Sequence, residues 1–122
     1  MPIETSFFSS KAPKERKVCI AKWHRNWNGP RAELFAPSDP KAADWKASYR
    51  KDLESRFPTP SSLRRYLQEI ERRTPNPILC CFELNPEECH RRVLAGFIKE
   101  NINLDVPEWT GRRHDGQLSL LP

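Results

Sequence analysis

No stretch of this chain is long and apolar enough to cross a bilayer. Its first residues, MPIETSFFSSKAPKERK, also lack the apolar core of a secretory signal. Both absences point to a cytoplasmic protein without a membrane attachment. No C-x-x-C pair occurs among the four cysteines, which argues against a dithiol redox motif and against a ribbon- or finger-type zinc site. Two of the cysteines, Cys80 and Cys81, are neighbours, and neighbours on a strand point to opposite faces. Free thiols in a reducing compartment are therefore expected. No internal repeat is visible.

What is present fits one small domain. The chain has 122 residues, 37% of them hydrophobic, so the core must be compact and some of the chain must lie outside it. The net charge of +5 is compatible with a phosphate-bearing partner, a nucleotide or nucleic acid.

The run KVCIAKW, residues 17 to 23, reads as a strand. A long loop with Gly29, Pro30, Pro37 and Pro40 comes next, and loops of that length are usually functional or disordered. Its aromatics, Trp27 and Phe35, favour order. A helix is expected from about Pro40 with Ser38 or Asp39 as cap, carrying Trp45, Tyr49, Leu53 and Phe57 as a stripe. Thr59 and Pro60 open a second helix with Leu63, Tyr66, Leu67 and Ile70 on one face. ILCCF, residues 78 to 82, is a buried strand by length and composition. Asn85 and Pro86 should start a third helix, with Val93, Leu94, Phe97 and Ile98 as its apolar face. INLDV, residues 102 to 106, is expected to be the last strand.

The fold class is therefore α/β: a small, mainly parallel sheet of three or slightly more strands with flanking helices, in the order strand-loop-helix-helix-strand-helix-strand. Residues 1–16 are expected as an N-terminal extension, 17–107 as the domain and 108–122 as a mobile tail. Ligands of such sheets gather at the carboxyl ends of the strands. A parallel sheet would bring the loop from Trp23 and the turn from Glu83 to Cys89 to that edge.

That turn carries the chemistry. Cys81 and Glu83 stand two apart and share a face at the strand end, where Glu83 can be a base or merely a solvated strand terminus. Cys89, His90 and Arg91 lie in the first turns of the expected helix. Taken singly, Cys89 and His90 could be packing residues. Together with Arg91 they suggest a site, because buried histidine and arginine need partners. No metal or cofactor is expected: adjacent helical residues diverge by about 100°, which would keep Cys89 and His90 from gripping one ion.

The run LCCFELNPEECHRRVLAGFI resembles the signature of the family called domain of unknown function 488. The matching positions are Cys81, Phe82, Glu83, Pro86, Cys89, His90 and Arg91. VCIAKW, LFAP (34 to 37) and YRKDLESR (49 to 56) resemble further segments of one branch, so that the likeness covers roughly residues 17 to 106. The resemblance implies a small α/β domain and strengthens the site, but it names no reaction.

The leading expectation is a catalytic site of Cys81, Glu83, Cys89, His90 and Arg91 acting on a nucleotide or nucleic acid. Arg91, with Arg25 or Lys22, would hold phosphate, His90 or Glu83 would move protons, and a cysteine would be the nucleophile. The alternative is a binding module without chemistry, in which Lys22, Trp23, His24, Arg25 and Trp27 grip nucleic acid. The tail adds one more expectation. Gln117, Leu118, Leu120 and Leu121 resemble the short peptide by which bacterial proteins dock on the DNA sliding clamp.

Overall fold

The computed structural model describes residues 2–82 and 89–111. Among these lie three strands, β1 (Glu4–Phe7), β2 (Lys17–Cys19) and β3 (Ile78–Cys81), and three α-helices, α1 (Trp45–Arg56), α2 (Pro60–Arg73) and α3 (His90–Ile102). The sheet has the order β1-β3-β2 and is parallel throughout. The expected α/β class with a three-stranded parallel sheet holds.

The apolar run Ile78–Cys81 becomes the central strand, buried at every position. Alternation divides its side chains. Leu79 and Cys81 join Val18 in the core built by the helices through Tyr49, Leu53, Leu67, Leu94 and Ile98. Ile78 and Cys80 face the other way, under Ala12, Phe8 and Trp109. In α2 the Thr59 hydroxyl accepts from the Ser62 amide at 3.2 Å and the Ser62 hydroxyl accepts from the Thr59 amide at 3.3 Å, with Pro60 in the first turn. This is the start expected from sequence.

Three elements differ from expectation. The third strand of the sheet is β1, inside residues 1–16, and not residues 102–106. Its composition hides it: Glu4, Thr5 and Ser6 are polar yet buried. Glu4 is satisfied by Arg16 at 2.6 Å, and Thr5 by Glu108 and, at 3.1 Å, Arg92. The segment expected as a last strand begins instead as the end of α3. The helix runs through Ile102, and Asn103 stops it in the left-handed conformation (φ 55°), which asparagine tolerates. Beyond it, a single parallel bridge joins Glu108 to Thr5, so the domain extends past residue 107. Finally, α1 begins at Trp45, later than expected. The Asp39 carboxylate and carbonyl take the amides of Lys41 and Ala42, a local turn that competes with a helix there.

The expected start of α3 at Asn85 and Pro86, the site residue Glu83 and the tail peptide Gln117, Leu118, Leu120 and Leu121 lie outside the described residues. No helix of the described residues is long and apolar enough to cross a membrane.

Candidate active site

Cys81 ends the central strand on its helix-facing side. Cys89 is not the fourth residue of a helix, as the sequence suggested. It is the cap residue of α3, with extended backbone (φ −126°, ψ 146°). This lets its side chain turn back to the strand, and the structure joins Cys81 and Cys89 in a disulfide. The expectation of four free thiols is corrected here: Cys19 and Cys80 alone are free. The neighbouring position of Cys80 and Cys81 does argue against a bond between those two, but not against a bond across the turn.

His90 opens α3 and ties it to β2. Its Nε2–H donates to the Ile20 carbonyl at 2.6 Å, just past the carboxyl end of β2. A carbonyl can only accept, so the proton sits on Nε2 and the Nδ1 lone pair is left 3.9 Å from the Cys89 sulfur. The ring stands edge-on to Tyr49 at 5.1 Å. Burial pushes the imidazole pKa down to about 4; the Ile20 carbonyl opposes this and the Arg91 charge adds to it. His90 is therefore neutral at pH 7. The unfolded imidazole binds a proton near its ordinary 6.5 and the folded one does not until about 4. Stability from this group is whole above about pH 6.5 and is lost as pH falls towards 4, by roughly 3 kcal/mol. Urea unfolding of wild type and His90→Gln across that range checks this: the wild type should lose stability more steeply, and parallel curves would contradict it.

Arg91 is wholly buried. Its Nε donates to the Glu108 carboxylate at 2.9 and 3.1 Å, one terminal nitrogen donates to the Cys81 sulfur at 3.2 Å, and its cation lies 6.0 Å from the Phe7 ring. Sequence reasoning misses Glu108, which it puts in a mobile tail. A buried arginine signals that a carboxylate must meet it, but spacing along the chain does not say which one.

Cys81 Sγ, Cys89 Sγ and His90 Nδ1 all lie within 4.8 Å of one another. Divergence of Cys89 and His90 requires both to be helical, and the extended backbone at Cys89 removes that condition.

The loops after the three strands meet at the same carboxyl edge. Phe8, beyond β1, lies 4.4 Å from the His24 ring, 5.3 Å from Trp27 and 5.0 Å from Phe82. His24 lies 4.9 Å from Phe82. Arg31 fixes the loop through the His24 and Trp27 carbonyls, and Trp27 Nε1 donates to the Pro30 carbonyl at 2.8 Å. Trp27 lies flat on Gly29, where an added Cβ would stand 2.9 Å from the indole. Phe82 and Trp23 are about half exposed, and Trp23 sits between the ammonium groups of Lys22 (5.6 Å) and Lys41 (5.5 Å). Of the residues expected to bind nucleic acid, His24 and Trp27 enter this cluster, while Lys22, Trp23 and Arg25 are exposed on the same loop. The loop after β2 also lines a pocket of about 220 Å³, with Cys19, Lys22, Arg31, Glu33 and Ser38 among its walls. By strand alternation Phe82 belongs to the face opposite Cys81. The aromatic mouth and the sulfur–imidazole centre thus sit on either side of one strand end.

Residues 8–102 match a family profile described as DUF488-N3a, the active DUF488-N3 subclade. The chain belongs to the DUF488 family. No curated protein and no solved structure matches it. The DUF488 span takes in Phe8, His24, Trp27 and Phe82 of the aromatic mouth and the run from Cys81 to Arg91, but not β1 or Glu108. Glu108, which pairs with Arg91, therefore lies beyond the matched segment.

The remaining cysteines of this DUF488 chain are inert by position. Cys19 and Cys80 are register partners in adjacent strands. Burial pushes both thiols up, that of Cys80 to about 12. In the folded, reduced protein, iodoacetamide at neutral pH should label Cys80 more slowly than Cys19. Peptide mass spectrometry reads the order, and early labelling of Cys80 would contradict the burial described here.

Proposed function

We propose that this DUF488 domain binds a nucleotide or nucleic acid at the carboxyl edge of its sheet and acts on it through the Cys81–Cys89–His90 centre. The observation that carries this reading is the meeting of Phe8, His24, Trp27 and Phe82, from the loops after all three strands, at the edge where Cys81 ends β3. Ligands of open parallel sheets bind at this edge, and flat rings are taken by aromatic side chains at about 1–3 kcal/mol per stacked base. Lys22 and Arg25, exposed on the loop that carries His24 and Trp27, would supply the phosphate contacts. Arg91 does not: its guanidinium is buried and engaged by Glu108 and Cys81. It is a positioning residue for the sulfur.

Tryptophan fluorescence during titration with a nucleoside triphosphate and with a short single-stranded oligonucleotide tests the reading. Quenching is expected. With two phosphate contacts, oligonucleotide affinity should fall about sevenfold between roughly 50 and 200 mM salt. Phe82→Ala should weaken binding at least about fivefold, the lower end of one lost stacking contact. Absence of quenching by either ligand at low salt would end the proposal. A second reading, binding without chemistry, draws on the half-exposed Trp23 and Phe82. It is distinguished by a bound ligand that is recovered unaltered from the reduced protein.

A further inference from the structure

We propose that, in the reduced protein, Cys81 Sγ, Cys89 Sγ and His90 Nδ1 form a three-ligand site for a thiophilic divalent ion, zinc in the first instance. The inference concerns the chemistry of the centre and does not need the nucleotide, so either can fail alone.

Three observations converge on it. The first is distance. In a tetrahedral zinc site with sulfur and imidazole ligands, neighbouring ligand atoms stand roughly 3.5 to 3.8 Å apart. Cys89 Sγ and His90 Nδ1 are already 3.9 Å apart, and all three ligand atoms fall within 4.8 Å. The Cα atoms of Cys81 and Cys89 are 6.9 Å apart, so a modest rotation of the side chains separates the sulfurs once their bond is broken. The second is the imidazole. Its Nε2–H is spent on the Ile20 carbonyl, which orients the ring and presents the Nδ1 lone pair to the sulfurs. Metal-bound histidines are generally held in this way through their other nitrogen. The third is charge. Two thiolates and a divalent ion sum to zero, and Arg91 with Glu108 forms a second neutral pair. The Arg91 N–H that points at the Cys81 sulfur stabilises a thiolate and hinders none of the other ligands.

Among the described residues the protein supplies three ligands, the number that protein side chains give in catalytic zinc sites. The disulfide and the ion are alternative occupants of the same sulfur pair. A phosphine reductant and water give two electrons and two protons to the sulfurs, forming two thiols and a phosphine oxide. Each thiol that then enters the metal site releases its proton to solvent, and binding itself involves no change of oxidation state.

The test uses the full chain, reduced and freed of metal, titrated with Co²⁺ and then Zn²⁺. One Co²⁺ per chain is expected, with sulfur-to-metal charge-transfer absorption in the near ultraviolet and the intense visible bands of a tetrahedral ion. Zn²⁺ should abolish both. Cys89→Ser should remove the sulfur band and stoichiometric binding at micromolar ion, while Cys19→Ser should leave them unchanged. If Cys89→Ser does not fold, the same unsubstituted chain with its disulfide intact serves as the control and should bind no ion. Reduced protein that takes up no stoichiometric Co²⁺, or a sulfur band that survives in Cys89→Ser or in the oxidised chain, overturns the site.

Discussion

A chain that starts at Lys17 will not fold. Read from sequence, residues 1–16 form an extension before a domain at 17–107. The structure instead makes Glu4–Phe7 an edge strand paired to β3 over four residues. Ile3, Thr5 and Ser6 are all at most 1% exposed. The same segment closes the far face of the sheet through Phe8 and Ala12 and supplies the carbonyls of Phe8 and Ser10 that satisfy the buried Lys17 ammonium at 2.6 and 2.8 Å. Deletion removes the Ile3 side chain, in the range of about 2–5 kcal/mol by itself. It also leaves Lys17 and one side of β3 without partners. Together these losses match or exceed the roughly 5–15 kcal/mol by which small domains are stable. Circular dichroism and amide dispersion of fragment 17–122 check the outcome. A cooperatively melting fragment with native dispersion would contradict it.

Arg91→Ala should be among the most damaging single substitutions. It empties the space of a wholly buried side chain and takes from the Glu108 carboxylate, which is 29% exposed, its closer cation, leaving Arg92 at 3.8 Å and the Thr5 hydroxyl. Breaking a buried ion pair from one side costs about 3–5 kcal/mol, and the partial exposure of Glu108 argues for the lower end. A loss of about 3 kcal/mol corresponds to a fall in Tm on the order of 10 °C. Arg91→Lys should recover only part of it, because an ammonium cannot reproduce the fork that reaches both the carboxylate and the Cys81 sulfur. Replacing both partners, with Arg91→Met and Glu108→Leu, should be milder than Arg91→Ala, since the buried space is refilled and the one cation that loses a partner, Arg92, is a third exposed. Denaturant unfolding of the set reads these differences. An Arg91→Ala protein within about 0.5 kcal/mol of wild type would refute the pairing.

The sequence is most legible where local chemistry and burial agree. Thr59 and Pro60 mark the start of α2, and the run at Ile78–Cys81 can only be an interior strand. Helices lying between strands imply parallel pairing, and with it the approach of His24 and Trp27 to the end of β3. Legibility fails where a polar segment is buried by tertiary pairing, as in β1, whose partners Arg16, Arg92 and Glu108 are scattered along the chain. It fails at 102–106 because Ile98 and Ile102 continue a helical spacing as readily as they begin a strand, and only the left-handed Asn103 decides the stop. The Cys81–Cys89 pair is out of reach for another reason: it depends on the extended cap conformation of Cys89, which spacing along the chain does not reveal.

The carboxyl edge as the binding site is the central claim. The chain has four tryptophans: Trp23 and Trp27 at that edge, Trp45 on α1 and Trp109 beneath the far face of the sheet. Their indole N–H signals in a ¹⁵N-labelled protein, followed during titration with a short single-stranded oligonucleotide, report four places at once. Trp27 and Trp23 should shift together and saturably while Trp45 and Trp109 stay in place. Shifts confined to Trp45 or Trp109, or no shift at any indole at low salt, would contradict the claim.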